Sequence, residues 1–356
     1  MRPPSYGTLK ESSRTDPSGA ETAPAAINPS RLGELLLRYA SPNPARGLFE
    51  LFITALPFAL LWIGVLFSVR AGFWPGLLLV VPAAGFLVRL FLIQHDCGHG
   101  SFFRRRVSND LLGRVIGVFT FTPYAYWRQT HAVHHATTGN LNRRGLGDVD
   151  LLTVDEYTSL PRLERLAYRL SRHPLALLAI GPFYVFVLKY RLPIGLMREG
   201  AGPWLSTMGT NAAIAGLLIL LSVWLGFGTV LLVQLPITLL AGAIGIWLFY
   251  VQHQFEQTYW EREDAWEYHA GALRSSTHYD LPAVLRWFTA NIGIHHIHHL
   301  ASRIPSYRLG EALREHPEFE PGQRLTLLSS FACFRFSLWD EDAKRLIGFR
   351  DLRRIG

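Results

Sequence analysis

The chain reads as an all-α integral membrane protein, with four transmembrane helices arranged as two hairpins and a cytoplasmic helical cap holding a histidine-rich metal site. Three observations predict this. Four long stretches carry almost no charge, 33 of the 35 Lys and Arg lie outside those stretches and their short connections, and nine of the 14 histidines fall in three five-residue windows. A composition that is 49% hydrophobic and 17% charged, against about 25% charged for a soluble domain, excludes a disordered chain. Two cysteines, Cys97 and Cys333, make no disulfide framework.

Residues 1–30 are rich in Pro, Ser, Thr and Ala, lack apolar periodicity and read as a disordered tail; no apolar run follows Met1 as a signal peptide would require. Ser30 with Glu34 resembles a capping box leading into a short amphipathic helix. Residues 51–69, 209–226 and 229–251 contain no charged residue, and 71–93 contains only Arg89. Each reaches or approaches the ~20 residues that cross a ~30 Å hydrocarbon core. The connections, Arg70 and Phe227-Gly228, are short enough to pair the spans as hairpins. Two weaker segments, 111–126 and 175–190, are broken by polar residues or proline and read as interfacial or cytosolic.

An even number of spans puts residues 1–50, 94–208 and 252–356 on one side. The basic residues gathered there name that side cytoplasmic. The domain from 31 to 345 therefore comprises the spans and a cap built from 94–208 and 252–345, followed by a C-terminal tail, 346–356. Arg104-Arg105-Arg106 fits headgroup contact. The net charge of +8 is thus an inner-face signature, and no nucleic-acid motif competes with it.

The histidine windows are His95-Asp-Cys-Gly-His99, His131-Ala-Val-His134-His135 and His295-His296-Ile-His298-His299. On a helix, residues three or four apart share a face, so each window can aim two or three imidazoles together. Eight imidazoles exceed one tetrahedral zinc site. They suit two first-row metals, and all-nitrogen ligation with open positions points to iron. All three windows fall on the same side at similar depth, a conclusion reached from hydropathy alone. His253 lies one turn beyond the last span and can join as a ninth ligand. His296 points about 100° from His295 and is assigned a supporting role. His173 and His316, each before proline, read as surface residues, and His269 and His278 as structural ones. Cys97 reads as a small packing residue.

With those residues quoted, the chain resembles the membrane-bound fatty acid desaturases, in the acyl-lipid Δ12/ω6 branch of bacteria and plastids, over about residues 50–345. The resemblance rests on His95-Asp-Cys-Gly-His99-Gly-Ser, His131-Ala-Val-His134-His135-Ala-Thr, Tyr250-Val-Gln-His253 and His295-His-Ile-His298-His299-Leu. The first box has the spacing of this branch, three residues between its histidines, where the acyl-CoA Δ9 branch carries four. The resemblance implies a di-iron centre that uses O2 and two electrons to take two hydrogens from an acyl chain, at the bacterial inner membrane. It implies His95, His99, His131, His134, His135, His253, His295, His298 and His299 as iron ligands. Related plant enzymes carry an Asn before the third box, one residue further from its first His than Asn291 is here.

An unactivated methylene offers no polar handle, so the oxidant must be metal-bound. Ligand imidazoles need partners on their other nitrogen. Asp96, Asp148, Asp150, Glu256 and Asp280 are the candidate carboxylates, with His296 and Asn291 beside them. The acyl chain needs a narrow apolar tunnel, and Phe121, Tyr126, Trp127, Trp247 and Tyr250 are the candidates to line it. No His-Pro-Gly-Gly motif of a fused cytochrome b5 is present. Electrons therefore come from a separate donor, a ferredoxin or cytochrome b5 with its reductase, and the basic face would suit an acidic ferredoxin.

Two other readings use the same residues. A related di-iron hydroxylase or ketolase, acting on a carotenoid, alkane or sphingolipid, would share the histidines. The wider motif text favours a desaturase. A metal transporter or sensor would need ionisable residues within the spans, which hold little beyond Arg89.

Overall fold

Four long helices organise the computed structural model, which describes residues 34–319 and 323–352. The expected N-terminal tail, and Ser30 of the expected capping box, lie outside those residues. Helix α1 (Pro44–Arg70) starts where the Asn43 side chain accepts the Arg46 N–H at 3.1 Å and Pro44 supplies a pre-set first turn. A 3₁₀ stretch, Trp74–Leu79, leads into α2 (Val80–His99). Two further long helices, designated αM3 (Ala201–Leu225) and αM4 (Phe227–His253), meet at Gly226, whose φ of 85° permits the sharp change of direction. Each of the four is long and apolar enough to cross a membrane. At the end nearer the histidines the helices continue past their apolar stretches into more polar sequence, while α2 starts later than its stretch because Trp74–Leu79 is 3₁₀.

Burial separates their roles. On α1 and αM3, Phe52, Leu60, Phe67, Ile219, Val223 and Trp224 face outward and are exposed, as lipid-facing side chains are. Helix α2 packs against both α1 and αM4 and is buried along most of its length, with Ala83, Ala84, Leu87, Val88 and Ile93 in the main apolar core.

Helices α3 (Arg106–Phe119) and α4 (Tyr124–Thr137) fold back beside the end of α2. Tyr124 fastens this corner: its hydroxyl lies 2.8 Å from the Cys97 carbonyl and 2.9 Å from Asp110. Cys97 is fully buried in the apolar core. The chain then runs through α5 (Val154–Ser159) and α6 (Arg162–Ser171) into wide π-type turns at Ala176–Ile180 and Phe183–Leu188. Helix α6 and the segment Ala176–Arg191 are bent by 69° at their junction. Taken together they would form a fifth broken span or a re-entrant loop, where the sequence predicts an interfacial or cytosolic segment.

The remainder is not purely helical. Between α7 (Tyr268–Arg274), α8 (Ala283–Phe288), α9 (His295–Leu300) and α10 (Ser306–Glu315) the chain makes short extended pairings. Strand β1 (Leu152–Thr153) pairs in parallel with β4 (Leu338–Asp340), which pairs antiparallel with β5 (Arg345–Ile347); β2 (His278–Asp280) pairs in parallel with β3 (Arg324–Thr326). Strands of two or three residues are too short to show a period-two pattern, so the all-α expectation misses them. Strand β5 also carries the packed body past residue 345: Leu346 and Ile347 are buried, and Phe349 rests on Tyr157 and Tyr168.

Candidate metal centre

The three histidine windows end up on α2, α4 and α9, and His253 is the last residue of αM4. The first window closes α2. Gly100, at φ 70°, takes the left-handed conformation, and the N–H groups of Gly100 and Ser101 bond the carbonyls of Cys97 and Asp96, both at 3.0 Å. The third window begins after Ala290 and Asn291, two consecutive non-glycine residues at φ 47° and 58°. This left-handed pair turns the chain so that α9 meets α4.

Nine imidazoles gather in two groups. His95, His99, His131, His135 and His298 form one, and His134, His253, His295 and His299 the other; within each group the ligand atoms lie within 4.8 Å of one another. Helical geometry explains the partition. Residues four apart are offset by about 40°, and those three apart by about 60° in the opposite sense. His131 and His135 therefore stay together in the first group, while His134 turns into the second. On α9 the roles reverse: His295 and His299 enter the second group and His298 the first. The rings of His135 and His299 stack at 4.2 Å between the groups.

The lone pairs converge. In the first group, the Nε2 atoms of His99, His131, His135 and His298 form a run with 3.1 Å between successive members. In the second, His295 Nε2 is 3.0 Å from His253 Nε2 and 3.1 Å from His299 Nε2. Facing imidazole nitrogens cannot all donate to one another. A cation resolves this: ligands about 2.1 Å from an octahedral ion sit about 3.0 Å apart at neighbouring positions.

Partners on the far nitrogen fix the tautomers. His253 Nδ1 is 2.9 Å from the Ser275 carbonyl, which holds the proton there and leaves Nε2 free. Asp148 takes His134 Nδ1 in the same way, so the buried His134 Nε2, which has no hydrogen-bond partner, is an acceptor within the second group. Asp96 lies 3.3 Å from His95 Nδ1 and accepts the Ser306 N–H at 2.8 Å through its other oxygen. Burial, reinforced by the neighbouring imidazoles, pushes His131, His135, His295, His298 and His299 well below the ordinary histidine range. At neutral pH these rings are uncharged and able to bind metal.

Gly147 makes the Asp148 contact possible. Its φ is 85°, and a Cβ there would lie 2.6 Å from the Thr130 carbonyl and 3.3 Å from His134 Cβ. Only a residue without a side chain brings this loop so close to α4.

Other candidates lie elsewhere. Asp150 is exposed. Asp280 bonds Arg324 across the β2–β3 pairing, and Glu256 pairs with Arg345 at 3.2 Å, so each is held by a cation. His296 is fully buried but belongs to neither group, and burial lowers it to about 3. Asn291 donates to the Ser306 carbonyl at 3.2 Å, so it supports the segment that holds Asp96. His316, expected at the surface, is buried between Glu318, at 2.8 Å, and Arg38, at 3.0 Å. The proline after it ends α10 without exposing the ring.

Of the aromatic candidates, Trp127 stacks on His131 at 4.5 Å and also contacts His95. Tyr126 bonds the Ile194 carbonyl at 2.7 Å, and Phe121 turns the chain at φ 57°. Trp247 and Tyr250 pack against Phe334. None of these four makes a ring contact with the histidines. Phe249 does line the site and was missed, meeting His134 at 5.1 Å and His253 at 5.0 Å, while Phe91, also missed, backs Trp127 at 5.4 Å. Their signal was available, since each lies four residues before a histidine on the same helix.

Comparison with known proteins adds a second line. The family model for fatty acid desaturases matches residues 71–331. A protein of Bacillus subtilis named fatty acid desaturase is 41% identical over 91% of this chain and 92% of its own length. Two Synechocystis proteins are similar over smaller shares. An sn-1 acyl-lipid omega-3 desaturase (ferredoxin) is 30% identical over 63% of this chain and 62% of its own. An sn-1 oleoyl-lipid 12-desaturase is 28% identical over 63% of each.

Proposed function

Because this chain belongs to the fatty acid desaturase family, oxidoreductases acting on fatty acids, we propose that it introduces a cis double bond into an acyl chain of a membrane lipid, in the Δ12/ω6 manner. The observation that carries this reading is the pair of buried histidine groups, five and four strong, with their lone pairs converging. In this proposal the nine histidines hold two iron ions, one per group. Bound iron would supply the O2-derived oxidising power that an unactivated methylene demands.

The protein's own residues do the rest. Asp148, the Ser275 carbonyl and Asp96 orient the rings. Trp127, backed by Phe91, and Phe249 cover the imidazoles with apolar surface, which excludes water and offers a wall to a hydrocarbon chain. Trp127 is assigned to the inner end of the acyl tunnel. Four helices long and apolar enough to cross a membrane support a membrane location, and the clustering of basic residues supports a cytoplasmic site at the bacterial inner membrane. Electrons come from a separate donor; the ferredoxin-linked relative and the basic cap support a ferredoxin.

The test is expression in a host that makes only saturated and monoenoic acyl chains, followed by lipid analysis with double-bond positions mapped by mass spectrometry. A new dienoic chain is expected. Unchanged acyl chains beside a hydroxylated or ketolated product would reject the desaturase assignment.

A further inference from the structure

Arg89, the lone charge within the apolar stretches, is left unused by the metal centre. Its side chain is buried and bonds Glu50 of α1, Thr54 Oγ1 at 3.1 Å and the Trp287 carbonyl, with its guanidinium 4.1 Å from the Trp287 ring centre. The second oxygen of Glu50 takes Arg46 at 2.7 Å. These groups border a cavity of about 240 Å³ whose lining includes Arg46, Glu50, Arg89, Arg286, Asn291 and Tyr307.

The charges in that lining do not balance. Three guanidiniums face one carboxylate, which Arg46 and Arg89 already share. Among the described residues, the ion pair of Arg286 is to Asp280 at 4.0 Å, beyond hydrogen-bonding distance, and Asp280 is bonded by Arg324. An excess of two positive charges beside a buried pair favours an anion. Arg46 and Arg286 keep half-exposed side chains, 52% and 48%, so their planar forks remain open to a ligand. That geometry matches phosphate oxygens.

Position names the source of the phosphate. Arg46 and Glu50 lie immediately before the uncharged stretch of α1, at headgroup level if that stretch spans the bilayer. The far wall joins the metal centre through a continuous set of contacts: Asn291 to the Ser306 carbonyl, the Ser306 N–H to Asp96, and Asp96 to His95. We propose that this cavity binds the phosphodiester of a glycerophospholipid substrate, anchoring the head group while its acyl chain runs to the histidines. The proposal rests on the acyl-lipid reading above and gives that substrate its chemical class.

Arg46→Gln with Arg286→Gln is the informative double variant, because it leaves the buried Arg89–Glu50 pair in place. In nanodiscs, its kcat/KM for phosphatidylglycerol is compared with that for a monogalactosyl lipid of identical acyl chains, which lacks phosphate. The phospholipid preference should fall about tenfold, while Arg345→Gln, remote from the cavity, leaves it unchanged. Retention of phosphatidylglycerol in native mass spectrometry should fall in parallel, and inorganic phosphate should compete only weakly. An unchanged preference and unchanged retention would overturn the proposal. Equally strong competition by inorganic phosphate would overturn the lipid assignment and leave a free-anion site. If the wild type desaturates neither lipid, the enzymatic reading fails, and retention still decides the cavity.

Discussion

Replacing Asp148 by Asn should loosen one metal and spare the other. The Asp148 side chain is 4% exposed and holds His134 Nδ1, and His134 belongs to the second group. The substitution keeps the shape and an acceptor oxygen but removes the charge. A hydrogen bond to a charged group contributes about 1.5–3 kcal/mol against about 1 for a neutral one. The difference, about 0.5–2 kcal/mol, reaches a loss of up to roughly 30-fold, since 1.4 kcal/mol is about tenfold. It so overlaps the roughly 10–100-fold loss of metal affinity typical when a ligand's supporting partner is changed. The assay is iron per chain by mass spectrometry after dialysis against graded chelator. About two irons per chain are expected in the wild type. In Asp148→Asn one should be lost at roughly 10–100-fold lower chelator, with the other retained. Asp150→Asn, at an exposed neighbour, should follow the wild type. Gly147→Ala should reproduce the selective loss, because its Cβ would strike the Thr130 carbonyl. Superimposable curves for Asp148→Asn and wild type, or simultaneous loss of both irons, would refute the partition of the nine histidines.

Three further outcomes follow from the geometry. His95→Ala and His298→Ala should each abolish desaturation while the protein still inserts, as judged by membrane fractionation, whereas the exposed His173→Ala should retain activity. His316→Ala should lower stability by about 1 kcal/mol, because it removes the partner of Glu318 and Arg38; thermal unfolding in detergent checks this. Tyr124→Phe should cost about 1–2 kcal/mol by stripping the hydroxyl between Cys97 and Asp110, and the loss should register as a lower unfolding temperature with the iron content intact.

The apolar runs and histidine windows were legible because each is a local pattern. Hydropathy needs only neighbouring residues, and the H-x-x-H-H spacing declares a shared helix face wherever the helix docks. What escaped depends on contacts between distant segments. Asp148 and Asp280 look alike in sequence, each a carboxylate near polar residues; the turn at Gly147 brings one to His134, while the β2–β3 pairing sets the other against Arg324. His316 was misplaced for the same reason. A His-Pro step marks the end of a helix, yet the ring's burial is decided by Arg38 and Tyr39, more than 270 residues away in sequence.

The window spacing also explains why two groups form instead of one. A helix bearing only an i, i+4 pair, such as α2, can serve a single centre, and His95 and His99 do so. Adding a histidine at i+3 gives the helix a second direction, roughly 100° from its i+4 neighbour. Helices α4 and α9 both carry this extra residue, and each sends a pair to one group and a single ring to the other, in opposite senses. The two helices thereby brace each other across the centre, and neither can shift without disturbing both groups. His253 completes the second group from αM4, so the site joins elements from both halves of the membrane region. The spacing within the boxes thus encodes the separation of the two histidine groups, which the number of histidines alone does not.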